Sequence, residues 1–243
     1  MKDDSMDKIF SKTCILKFLM LLASTTAFQA QAQWKVGVEA GYDYNFYHID
    51  THYAYDFRYD GRSGFTVGVP VEYGILDWLA VRADLTYLQK GYKMHRGYNK
   101  TFQNRSDQYL SLPMMARFSF GDDKIKGFLH VGGYVGYWLK SHLKGCEISN
   151  SFNTDEVLNE EEGKIFYPYD KEYSFNSQRD NRFDAGLVGG VGVCYRVLPQ
   201  LEVEMEGRCY YGLTSTTKNY MEYSKQPRYN TTIAILAGIK FCF

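Results

Sequence analysis

LEVEMEGRCYYG, Leu201–Gly212, alternates without a break. Leu201, Val203 and Met205 fall on one side of an extended chain; Glu202, Glu204 and Glu206, followed by Arg208, fall on the other. A strand with one apolar face and three carboxylates on its opposite face needs two different surroundings. Which face meets which surrounding is decided by the rest of the chain.

The 243 residues carry 28 Lys and Arg against 28 Asp and Glu, so the formal net charge is zero. A nucleic-acid partner needs a basic face, and none is expected here. Tyr 22, Phe 16 and Gly 22 against Pro 5 point to strands rather than helices. Lys8, Lys12 and Lys17, the apolar run 18–28 and Ala30-Gln31-Ala32 read as an export signal, cleaved to leave a mature chain from Gln33. As a membrane anchor the run is too short to cross about 30 Å of hydrocarbon. Cys146, Cys194, Cys209 and Cys242 show no CxxC spacing and read as small apolar fillers, so neither a zinc site nor any other cofactor is expected.

Eight segments alternate with period two: 34–47, 64–75, 79–94, 108–120, 128–141, 183–197, 201–213 and 229–243. Their connections alternate in length as well. Residues 76–78, 121–124 and 198–200 are tight turns, whereas 48–63, 95–107, 142–182 and 214–228 are long. The expected fold is all-β: an eight-stranded antiparallel transmembrane up-and-down barrel over residues 33–243. Its tight turns and both termini would face the periplasm of a bacterium, and its long loops, the longest at about 142–182, would face outward.

One face of these segments is nearly free of charge, as in Val67, Val69 and Val71 or Leu110, Leu112 and Met114. Aromatic residues gather at its two rims: Tyr42, Phe65, Tyr87, Tyr137 and Tyr211 at the loop end, Trp34, Tyr73, Trp78, Phe118 and Phe241 at the turn end. Lipid flanked by two polar interfaces selects that pattern. The opposite face holds Lys35, Asp43, His130, Lys140, Asp184 and Lys240, together with an expected structural ion-pair network of Glu39, Glu72, Arg82, Asp84, Arg117, Arg196, Glu202, Glu204, Glu206 and Arg208. Those groups belong in the lumen, with glycines making room, and an eight-stranded lumen is narrow enough to be filled. A soluble ligand-binding barrel would turn the same faces inside out. Pro70 and Pro113, inside strands, read as bulge positions.

YLSLPMMARFSFG (109–121), GFLHVGGYVGYWL (127–139), FDAGLVGGVGVCYRV (183–197) and the ending IAILAGIKFCF (233–243) resemble PorT-family outer-membrane β-barrel proteins. That resemblance implies the barrel fold in the outer membrane and, for the family's named member, an association with protein secretion and gliding machinery. Gly238, Phe241 and Phe243 look like the assembly signal of such barrels and imply recognition by the barrel-assembly machinery. The long connection 142–182 has no counterpart in the family pattern.

Catalytic patterns are weak. Ser141-His142 is adjacent, whereas a nucleophile and base on one strand face need a spacing of two. Gly189–Gly192 imitates a phosphate loop but lacks its Lys and its helix. The acidic run 155–164 lacks the spacing of a calcium loop and reads as solvated. Phe166, Tyr167, Tyr169, Tyr173 and Phe175 crowd the long connection, either as a partner-binding loop or packed onto the barrel mouth. The expected function is a non-enzymatic outer-membrane barrel, surrounded by lipid, whose outer loops bind a protein partner or a surface polymer. The alternatives are a component of a secretion or transport system and a lipid-modifying enzyme.

Overall fold

The computed structural model describes residues 34–49, 57–96, 101–149, 165–218 and 227–243. The expected signal peptide and the acidic run lie outside them. Among the described residues nine strands form: β1 (Trp34–Ile49), β2 (Phe57–Leu76), β3 (Leu79–Arg96), β4 (Phe102–Gly121), β5 (Ile125–Ser149), β6 (Ile165–Glu172), β7 (Phe183–Leu198), β8 (Leu201–Gly212) and β9 (Arg228–Cys242). Every pairing is antiparallel, in the order β4-β3-β2-β1-β9-β8-β7-β5-β6, and β4 also pairs with β5. Eight strands therefore close an up-and-down ring, and β6 hangs on β5 alone. Closure removes the sheet edges that lipid could not satisfy.

The alternation seen in the sequence becomes the two sides of that wall. Val69 is 44% exposed and Ile235 59%, whereas Glu204 is 3% exposed and Arg82 and Lys240 are fully buried. The turn-end rings pair on the outside, Trp34 with Tyr73 at 4.8 Å and Phe241 with Phe243 at 5.0 Å; Phe65 and Tyr87 pair at 5.6 Å toward the loop end. Cys194 lies in the lumen and Cys209 on the outer wall, and all four described cysteines are free.

Three details depart from the sequence reading. Pro70 and Pro113 are not bulges. Pro70 pairs in register with Asp84 and Pro113 with Tyr134. On the other side of each, the ladder skips two pairs without changing register, between Val36↔Val71 and Glu39↔Gly68 and between Ala83↔Met114 and Thr86↔Ser111. A missing N–H costs local pairing there, not an extra residue. A register shift does lie opposite Gln108 and Tyr109, where Leu139 is the extra residue of β5. That bulge turns Lys140, expected in the lumen, out to solvent.

The third departure is length. Crossing hydrocarbon takes about 9–11 tilted residues, yet β4 has 20 and β5 has 25. Much of 57–63, 95–107 and 142–149, expected as loop, is instead ladder continuing past the aromatic rim. Residues 142–149 pair with β6, so the long connection is built as a hairpin. Gly91 makes this overshoot possible: its φ is +136°, and a Cβ there would lie 2.0 Å from the Arg105 carbonyl oxygen.

Candidate functional site

The lumen is filled from the turn end upward by ion pairs. Lys35 reaches Glu202 at 2.8 Å, and Arg196 reaches the same carboxylate at 3.1 Å. Lys240 bridges Glu72 and Glu204 at 2.7 and 2.6 Å, and Arg117 bridges the same two at 3.2 and 2.9 Å. One level higher, Arg82 binds Asp84 and Glu204, each at 2.8 Å, and also Glu39. Arg208 binds Glu39 and Asp84 at 3.0 Å each and Glu206 at 2.8 Å. His130 Nδ1 lies 2.9 Å from Glu206. The ten residues expected as a network thus stand together, joined by Lys35 and Lys240. The three glutamates of the opening stretch each meet cations from other strands.

Room for this comes from small residues on β7. Carbons added at Gly190 and Gly192 would lie 2.4 Å from the Glu206 carboxylate and from the Phe128 ring. Phe128 in turn lies under the Arg117 guanidinium, 3.8 Å from it. Met115, Tyr134, Val188 and Tyr210 fill the layer above. Glu39, Glu204 and Glu206 are close enough together to share a metal ion. Arg82 and Arg208 already pair with all three, and Arg117 and Lys240 add two more cations on Glu204, so the cluster reads as structural.

A second tier, toward the loop end, was not expected. Lys90 binds Asp184 at 2.5 Å and lies 4.8 and 5.1 Å from the rings of Tyr109 and Tyr134. Arg105 binds Asp107 at 2.8 Å, and Ser141 donates to Asp107 at 2.5 Å. Asn45 donates to the Gly91 carbonyl at 2.8 Å and accepts from Thr232 at 2.7 Å. Lys90 continues the even-numbered lumen positions of Arg82 and Asp84, and Arg105 the odd-numbered ones of Arg117. That spacing was the available signal.

At the mouth, Tyr109, Trp138 and Tyr173 stack nearly parallel, at 5.8 and 6.0 Å, and Phe175 meets Trp138 edge-on at 4.9 Å. Tyr173 and Phe175 therefore pack onto the barrel mouth rather than standing free. Tyr167 and Tyr169 lie half-buried on β6; the Phe166 side chain is outside what the structure describes. Asp180 fastens this strap, accepting from Tyr173 at 2.9 Å, the Asn176 amide at 2.7 Å and Arg179 at 2.9 Å. Ser141 and His142 diverge: the serine is buried against Asp107, while His142 points outward to Asp170 at 2.5 Å. At the other end Phe241 and Phe243 face outward, and the Phe243 amide donates to the Trp34 carbonyl at 2.8 Å.

Residues 29–218 match the family model described as outer membrane protein beta-barrel domain. The chain belongs to that family. Membership places this barrel in the bacterial outer membrane. No curated protein matches it. Among solved structures it is similar to the outer membrane protein OprG of Pseudomonas aeruginosa, at 9% identity over 87% of this chain and 96% of that one, TM-score 0.51. Neisserial surface protein A is 13% identical over 86% and 97%, TM-score 0.46. The outer membrane protease OmpT of Escherichia coli is 10% identical over 87% and 96%, TM-score 0.47. At 9% identity the likeness to OprG speaks to fold alone.

Proposed function

We propose that this barrel is a closed, non-enzymatic scaffold that works through its external end, binding material outside the cell. The observation that carries this reading is the lumen. Six carboxylates (Glu39, Glu72, Asp84, Glu202, Glu204, Glu206) are interlocked with six cations (Lys35, Arg82, Arg117, Arg196, Arg208, Lys240) across the turn-end half. Opening a path would strip many pairs at once, and each broken pair leaves a buried charge. Binding capacity is left to the part of β2–β6 that stands beyond the rim. The divergence of Ser141 and His142 supports the absence of a nucleophile–base pair there.

Planar-bilayer recording on the purified protein tests the closed state. Electrical silence is expected, and steady unitary conductance would overturn the reading. Removal of residues 144–180 should abolish capture of external material while leaving the heat-modifiable gel mobility of the ring. Unchanged capture would contradict a role for this end.

The strand patterns shared with the PorT family support a second reading, a subunit of a protein secretion assembly. It predicts loss of secretion on deletion and co-purification of the intact barrel with that machinery from its native membrane.

A further inference from the structure

We infer that the lumen holds a cluster of ordered water between its two tiers of ion pairs, seated on Thr86 and Ser111. These two residues pair directly across β3 and β4. The same register row continues to Gly68 on β2 and to Gly136 on β5, so four adjacent strands meet there as Gly, Thr, Ser and Gly. Tyr109 is the next lumen position on β4. Thr86 is fully buried, and Ser111 and Tyr109 are each 1% exposed. None of their three hydroxyl oxygens has a hydrogen-bond partner.

Each small hydroxyl turns toward the glycine on its far side. A Cβ added at Gly68 would lie 3.1 Å from Thr86 Oγ1, and one added at Gly136 would lie 2.8 Å from Ser111 Oγ. Glu39 Oε1 borders the Gly68 position too, at 3.0 Å, and is bound by Arg208 in the lower tier. On the other side Gly136 pairs with Asp184, which Lys90 of the upper tier holds at 2.5 Å. The row therefore lies between two sets of charges that are already matched.

Hydroxyl chemistry selects the occupant. A hydroxyl both donates and accepts. An anion could use only the donors, and the neighbouring cations Lys90 and Arg208 are taken. A metal cation could use only the acceptors, and the neighbouring Glu39 and Asp184 are taken as well. Water does both, and a buried water makes about three such bonds. Its presence removes the cost of shielded hydroxyls without partners. A water on Gly68 reaches both Thr86 and Glu39, so hydration couples this row to the plug beneath it.

The test is magnetisation transfer from water to isotope-labelled threonine methyl groups, in the full chain in lipid nanodiscs. The Thr86 methyl should receive direct transfer, and Gly68→Ala, which puts a methyl where the water sits, should remove it. Thr86→Val should raise the unfolding constant in lipid vesicles about fivefold, because the water loses a partner. Replacing sodium and potassium by choline should leave the Thr86 methyl shift unchanged. Absence of transfer in the parent chain would overturn the site, and so would transfer that survives Gly68→Ala. A Thr86→Val protein as stable as its parent or more so would mean a dry row. A Thr86 shift that follows sodium or potassium would assign the row to a metal cation instead. The parent chain alone decides the first point, so no variant has to assemble for the inference to fail. Failure here leaves bilayer silence, and with it the closed scaffold, untouched.

Discussion

Arg208 and Glu39 meet in the lumen through two parallel hydrogen bonds, Nη1 to Oε1 at 3.0 Å and Nη2 to Oε2 at 3.2 Å, from strands that β9 keeps apart. Such forked pairing fixes geometry as well as charge. Both side chains are almost wholly enclosed, so neither can turn to water when the other is lost.

Replacing Arg208 by Met should therefore cost about 3–5 kcal/mol, because Glu39, Asp84 and Glu206 lose a shared cation in a closed space. Urea unfolding from lipid vesicles measures it. Adding Glu39→Gln to that variant should restore part of the loss, since the two residues act on one network. A single-variant loss below about 1 kcal/mol would mean that water already screens the pair.

Gly91 and Gly133 should respond oppositely to alanine. At Gly91 the φ of +136° and the Arg105 carbonyl oxygen, 2.0 Å from an added Cβ, leave no room. Gly91→Ala should lose at least about 1–3 kcal/mol. At Gly133 an added Cβ would meet only the Gly186 carbonyl oxygen, at 3.4 Å, so Gly133→Ala should be neutral or gain about 0.4–1 kcal/mol. The same vesicle unfolding assay ranks both.

The strap over the mouth should loosen in acid. Burial alone would raise the Asp180 carboxyl, but hydrogen bonds from Arg179, the Asn176 amide and Tyr173 outweigh it and hold the group below the ordinary carboxylate range. A lowered folded pKa means that the stabilisation is complete above the unfolded value of about 3.9 and fades as pH falls through the folded one. Trp138 fluorescence, in a chain with Trp34 and Trp78 replaced by Phe, should report Tyr173 and Phe175 leaving the ring only below that range. Asp180→Asn should show the loosened signal already at neutral pH.

Much of this was legible in the residues. Two-residue periodicity separates Val203 from Glu204 on any strand, so the ring, its sidedness and the membership of the lower ion-pair tier follow from spacing. Arg105 and Asp107 were missed because alternation was followed there only from residue 108, and Lys90, inside the expected strand 79–94, because the lumen charges were sorted only as far as the aromatic rim. Beyond lipid both faces of a sheet carry polar and aromatic groups, and the apolar contrast that marks a strand disappears. Lys140 was misplaced because one extra residue, Leu139, inverts every position after it. The sequence left open whether Tyr173 and Phe175 bind a partner or pack onto the mouth, because nothing local shows that Trp138 stands opposite them.

The last residue should matter to assembly more than to stability. Phe243 is 71% exposed on the outer wall. Phe243→Ala should lower the heat-modifiable fraction in cells, if Gly238, Phe241 and Phe243 are read by the assembly machinery. The same variant refolded into detergent should match the parent protein. Equal losses in both settings would assign Phe243 to the wall's own packing.

Sidedness decides all of this, and oxygen and nickel-chelate collision rates at two spin labels test it most directly. Val69 and Thr86, 44% and 0% exposed, are suitable sites, in a chain with Cys146, Cys194, Cys209 and Cys242 replaced by Ala. The label at Val69 should collide with oxygen and hardly with the chelate, as a probe among acyl chains does. The label at Thr86 should show no lipid signature. A Val69 label reached freely by the chelate, with a Thr86 label bathed in lipid, would contradict the account.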